Sequence, residues 1–147
     1  MRAISTRRGR PDAYVIVEFV QLVRTTVGDG VLDFSHLQTR PFMPFWKSFS
    51  IVEYLQNEDD FRSLMCGSEL ANAYGRDQTG KRISELEFGE IEDEMRQLHF
   101  DALKGELVYA SCTFGFQKRD YKKWHQVKMR ITHNGRANKT VAVLAFE

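Results

Sequence analysis

A chain of 147 residues, 42% of them apolar, is long enough for one well-buried core and too apolar to remain disordered. Its 21 Lys and Arg are balanced by 20 Asp and Glu, which argues against a dedicated nucleic-acid coat and against an acidic solvating tail. Two distant cysteines, Cys66 and Cys112, make no disulfide framework, and no apolar run approaches the roughly 20 residues of a membrane span.

Residues 1–10 read as a basic tail without the apolar core and cleavage site of a secretory leader, so a cytoplasmic protein is expected. A helix follows over 12–27, opened by Pro11 and Asp12 and stopped by Gly28-Asp29-Gly30. Val15, Ile16, Phe19, Val20, Leu22, Val23 and Val27 fall on one wide arc, with Glu18, Gln21 and Thr25 opposite. Such an arc packs either on its own domain or on a second copy. Its width on a terminal element makes Val15, Ile16, Phe19, Val20, Leu22 and Val23 the candidate contacts of a homodimer.

Residues 31–46, with two prolines and no clean period, read as an irregular connector. A strand hairpin is expected from 48–55 and 61–67, then a short helix over 68–74 with Ser68 as its N-cap. The clearest later helix runs over 89–105, with Ile91, Met95, Leu98 and Ala102 on one face and Gly105 as its stop. Acidic residues Glu85, Glu87, Glu90, Glu92, Asp93 and Glu94 gather at its opening, where the positive end of the helix dipole favours them.

Three strands close the chain, within 106–117, 122–131 and 139–146. Val108, Ala110, Cys112, Phe114 and Phe116 share one face of the first, and Val127, Met129 and Ile131 one face of the second. Asn134-Gly135 marks a hairpin between the last two. Lys122, Gln126, Lys128 and Arg130 alternate with these apolar residues and read as a solvent-facing side; with Tyr121, Trp124 and the Arg-rich start they make only a weak case for nucleic acid. Strands and helices segregated in this order imply an α+β domain, an antiparallel sheet with helices on one face.

Residues 73–82, "AYGRDQTGKR", imitate a phosphate-binding loop: Gly75, four residues, Gly80, Lys81. Such a loop needs a strand before it and a magnesium-binding Ser or Thr after the lysine. Here a helix precedes it and Arg82 follows, so it reads as two glycine turns. The surrounding stretch, "DFRSLMCGSELANAYGRDQTGKRISEL" (60–86), resembles an alphaproteobacterial group of PAS domains that carries a pattern close to "DFRYRLxGTxxxxxxGRDLTGRxLxEL". Asp60, Phe61, Arg62, Gly67, Gly75, Arg76, Asp77, Thr79, Gly80, Ile83, Glu85 and Leu86 match it directly or conservatively. Ser68 stands where the pattern has Thr, and Gln78 where it has Leu. The resemblance spans about 35–147. It implies a five-stranded antiparallel PAS-like sheet, preceded over 1–34 by the basic tail and the amphipathic helix, and a role in sensing or regulation.

A PAS-like domain can hold flavin, haem, a small metabolite or nothing; a small ligand would lie between the sheet and helix 89–105. Met95, His99, Cys112, Phe114 and Met129 are the candidate ligand-binding residues, with simple core packing as the alternative. Neither cysteine has the setting of a photoactive flavin site. His99 sits where a haem ligand would, yet a buried, hydrogen-bonded histidine accounts for it as well; the sequence supports neither cofactor, and the four histidines have no zinc spacing. No catalytic motif appears. The expectation is a stand-alone, non-enzymatic sensory or regulatory domain whose signal passes by self-association or through an unknown signalling partner. The competing class is a protein–protein, or weakly RNA-binding, interaction module without a ligand.

Overall fold

The computed structural model describes residues 6–7 (backbone only), 13–86, 88–112 and 123–146. Strand β1 (Thr6–Arg7) precedes helix α1 (Tyr14–Val27), whose expected start at Pro11 and Asp12 lies outside the described residues. Gly28, at φ 60°, ends α1 as expected. The connector is more ordered than its sequence suggests. It holds strand β2 (Leu32–Asp33), a single helical turn α2 (Phe34–Leu37) and a 3₁₀ segment over Arg40–Ser48. Phe42, Phe45 and Ser48 are its buried residues, the spacing of a helix with three residues per turn, so the period is three rather than absent.

Then come β3 (Phe49–Leu55), β4 (Asp60–Cys66) and α3 (Ser68–Tyr74). The cap of α3 is Gly67, not Ser68, because residue 67 carries the extended backbone and its side of the chain presses against residues 46 and 47. Short 3₁₀ turns at Ile83–Glu85 and Gly89–Ile91 lead into α4 (Glu92–Leu103), with Glu92, Asp93 and Glu94 in its first turn. Strands β5 (Val108–Cys112), β6 (Trp124–His133) and β7 (Arg136–Phe146) close the chain. Asn134 (φ 53°) and Gly135 (φ 76°) form the β6–β7 turn, both with the positive φ that a tight hairpin requires.

This is an α+β architecture built on one sheet of order β1-β5-β6-β7-β3-β4. The sheet is mixed rather than purely antiparallel, since β2 runs parallel to β6, pairing Leu32 with Ile131 and Asp33 with Thr132. Thr132 Oγ1 donates to the Asp33 carboxylate at 2.6 Å, which fixes that short pairing.

Helices cover both faces, not one. On one face α1 buries Ile16, Phe19, Val20 and Val23 against Val127, Met129, Ile131, Val141 and Val143. Phe19 meets Phe42, Phe45 and Phe49 edge-on, with ring centroids 5.4–6.1 Å apart. Val15 and Leu22 lie half-buried beside them. The arc offered as a dimer surface is therefore packed on the chain's own sheet, where each fully buried side chain contributes about 1.5–3 kcal/mol. On the other face α3, α4 and the turns between them bury Leu70, Ile91, Met95, Leu98 and Ala102 against Val52, Ala110, Trp124, Ala142 and Leu144. The alternating polar residues of β6 face this second layer. Gln126 and Lys128 are each only 2% exposed, so their expected solvent-facing side is instead an interior.

Candidate functional site

Between α4 and the sheet lies a cavity of about 50 Å³. Val52 from β3, Leu70 from α3, Met95 from α4 and Leu144 from β7 supply apolar walls, and Ile83 and Phe88 close one end. Lys128 and Gln126 enter from β6, His99 from α4, and Gln78 and Lys81 from the glycine turns. Two lysines therefore face this space, and no Asp or Glu is among the described residues that line it.

Lys128 is flanked in the sheet by Val108 of β5 and Ala142 of β7, neither of which can offset its charge. Its partner is His99: Lys128 Nζ lies 3.1 Å from Nδ1 and 3.2 Å from Nε2. An ammonium equidistant from both nitrogens cannot sit in the ring plane without striking the carbon between them, so it lies over the ring. Phe61 stacks on the imidazole at 4.7 Å and 28°. The Thr140 hydroxyl is 3.4 Å from Nδ1. Burial pushes the Lys128 ammonium down to about 7. Burial, then the positive charges of Lys128 and Arg96, pull His99 well below its usual value. At neutral pH the imidazole is uncharged, and the amine is divided between its two forms. In its charged form it is held in the interior with no carboxylate beside it among the described residues, an arrangement that favours a negatively charged companion.

Residues 75–82 form one wall. Gly75, at φ 87°, ends α3 with its N–H donating to the Ala71 carbonyl at 2.9 Å. The Asp77 carboxylate accepts from the Thr79 N–H at 2.9 Å and hydroxyl at 2.7 Å. Gly80 N–H donates to the Ser63 carbonyl (2.7 Å), and Ser63 N–H to the Lys81 carbonyl (2.9 Å), so the turn pairs along the outer edge of β4. The amides of Gly75, Thr79, Gly80, Lys81 and Arg82 are occupied within the fold. Between the exposed Asp77 and Thr79, the same turn drives Gln78 inward to 5% exposure. Its Oε1 is buried without a hydrogen-bond partner.

The helix over the cavity is tied to the hairpin by charge. Arg96 of α4 donates to the Asp60 carboxylate at 3.1 Å, to the Asp59 carbonyl at 3.1 Å and to Glu92 at 3.2 Å. Asp60 also accepts from Ser84 Oγ at 2.6 Å and from the Phe61 N–H at 2.8 Å. Burial alone would raise its carboxyl, but these hydrogen bonds and the Arg96 charge win, and it lies below the ordinary value. Within the hairpin Arg62 pairs with Glu53 at 2.7 Å, and Arg82, from beyond the glycine turns, pairs with the hairpin's Glu58 at 2.7 Å.

Of the five residues expected to bind a ligand, Met95 and His99 line the cavity. Cys112 lies in the same core layer, away from the lining, with burial pushing its thiol up to about 11. Met129 belongs to the opposite face with α1, because successive strand residues alternate and Lys128 already points inward. Phe114 lies outside the described residues, as do Phe116, Tyr121 and Lys122. Trp124, 1% exposed, is a core residue and no stacking platform. Lys128, Gln126 and Gln78 were not expected here; the departure of Gln78 from the pattern's Leu was the one sign available in the sequence. Among the described residues no group of His, Cys, Asp and Glu is arranged to hold a metal ion, and no helix is long and apolar enough to cross a membrane. Compared with protein-family models, curated proteins and solved structures, the chain matches none of them.

Proposed function

We propose that this chain is a PAS-like sensory or regulatory domain that acts by holding a small ligand between its sheet and α4, without catalysing a reaction. The sheet core β4-β3-β7-β6-β5 supports that reading: five antiparallel strands in which a helical passage crosses one face between the second and the third. The stretch that resembles the PAS group, 60–86, builds the outer wall of the cavity and supplies the carboxylate of Asp60 that anchors α4. The observation that carries the reading is the polar content of an otherwise apolar cavity: among the described residues Lys128 has no carboxylate and Gln78 Oε1 no donor. Structural side chains in a core of this kind are normally satisfied, and unsatisfied ones call for an explanation. Occupancy would be felt first by Met95 and His99, hence by α4, and would pass through Arg96 and Asp60 to the β3–β4 hairpin.

Native mass spectrometry of the full chain, gently purified and then denatured, tests this. An extra mass that is lost on denaturation, and absent from a Leu70→Trp variant whose larger ring fills the cavity, is the expected result. A bare chain mass, together with a Met95 methyl resonance that no component of a small-metabolite extract shifts, counts against it and favours an interaction module without a ligand.

A further inference from the structure

Resting on that reading, we propose that the ligand is a compact monocarboxylate carrying a hydroxyl, a short hydroxy acid, with its carboxylate on Lys128 Nζ and its hydroxyl on Gln78 Oε1. Size, charge and donor count each narrow the choice. One water needs about 10–15 Å³ of such space, so a cavity of about 50 Å³ takes on the order of three to five non-hydrogen atoms.

The charge follows from Lys128 and Lys81, which both face the cavity with no acid beside them among its described lining residues. An ammonium has three donors; it lies over the face of His99 rather than in line with a ring nitrogen's lone pair, and no other partner meets it among the described residues, so donors remain for an anion. Amines and amino acids would set their own ammonium against these two. Inorganic phosphate or sulfate, more heavily charged and without an apolar part, fits poorly against Val52, Ile83 and Leu144. The hydroxyl follows from Gln78: a buried carboxamide oxygen accepts and never donates, so the ligand must bring an O–H or N–H.

Glycolate, acetate, glycolamide and inorganic phosphate separate these points when titrated into the full chain at fixed ionic strength. Binding is read from the Met95 methyl resonance and from Tm. Glycolate should bind saturably and raise Tm, glycolamide should not, and acetate, which lacks the hydroxyl, should bind roughly tenfold more weakly or worse. Lys128→Met should abolish the glycolate response. Gln78→Leu should bring glycolate down to the level of acetate while leaving acetate unchanged. Glycolamide binding as tightly as glycolate, phosphate binding better than either, or a folded Lys128→Met chain that keeps its glycolate affinity overturns the proposal. Should Lys128→Met fail to fold, Gln78→Leu and the glycolate–glycolamide comparison on the unaltered chain decide it. If the unaltered chain ignores all four probes this assignment falls, whereas the cavity reading falls only with the native-mass result.

Discussion

Lys128→Met should make the protein more stable at neutral pH, which is the reverse of what losing a buried hydrogen-bonding side chain ordinarily does. Lys128 is 2% exposed, its ammonium rests on an uncharged imidazole, and no carboxylate among the described residues meets it. Methionine has a similar reach and needs no solvation, and replacing buried charge by an apolar residue of like volume gains about 1–4 kcal/mol where the charge is poorly offset. The sign with pH follows from linkage. Lys128 titrates at about 7 in the folded chain and near the ordinary lysine value of about 10.4 when unfolded, so between these values the unfolded chain binds more protons. Stability therefore rises with pH across that window, and the penalty of the buried cation is greatest below about 7. Between pH 7 and 8 the Lys128 contribution comes to about 1 kcal/mol, roughly half a molar in urea midpoint. His99, Tyr74, Cys66 and Lys81 also line this space and the variant retains all of them, so the difference in slope between the two proteins reports Lys128 together with its charge coupling to His99. Urea unfolding followed by far-UV circular dichroism at the two pH values is the assay. Equal slopes, or a variant less stable than the parent at pH 7, would refute the reasoning and mean that Lys128 is compensated in a way the geometry does not contain.

Gly67→Ala should cost more than about 2 kcal/mol in urea unfolding, since a Cβ there would stand 2.4 Å from the Lys47 carbonyl oxygen and 2.5 Å from that of Trp46; a neutral result would mean that residues 46–47 move easily. Asp60→Ala leaves Arg96 without its buried partner and should cost about 2–4 kcal/mol by the same measurement, with Arg96→Met milder because Asp60 keeps Ser84 and the Phe61 N–H. The Asp60 carboxyl lies below its unfolded value, so its contribution is complete above about pH 4 and disappears as pH falls through the folded value; an acid-unfolding profile of Asp60→Asn should lack that segment. Iodoacetamide at neutral pH should label both thiols slowly, Cys112 slower than the half-buried Cys66, because burial raises both above the usual thiol range; rapid labelling of Cys112 would contradict its place in the core.

The elements were legible where local chemistry is decisive. The glycines at 28 and 75, the Asn134-Gly135 pair and the apolar spacing of Ile91, Met95, Leu98 and Ala102 each impose a backbone or a face that tertiary packing did not override. What failed was the decision about the faces of the sheet. Val127, Met129 and Ile131 alternating with Gln126, Lys128 and Arg130 describe a half-solvated strand, and period two cannot tell a polar face in water from a polar face in a cavity. The neighbouring strand carried the missing fact. "VAVLAF" in β7 is an unbroken apolar run, which fits a strand covered on both sides, and β6 is its immediate partner.

Once both faces are known to be covered, the polar residues of β6 change meaning. A lysine on a covered face is either paired with an acid or available to one that arrives from outside. No described acid lines the cavity, and the nearby Glu53, Glu58 and Asp60 are engaged by Arg62, Arg82 and Arg96. The same turns that resemble a phosphate loop use their amides on Ser63 and Ala71 and deliver instead an inward glutamine. The fold thus separates its charges, closing Glu53, Glu58 and Asp60 into ion pairs and leaving Lys128 and Gln78 facing the interior. In that separation a small hydroxy acid supplies what each of them lacks.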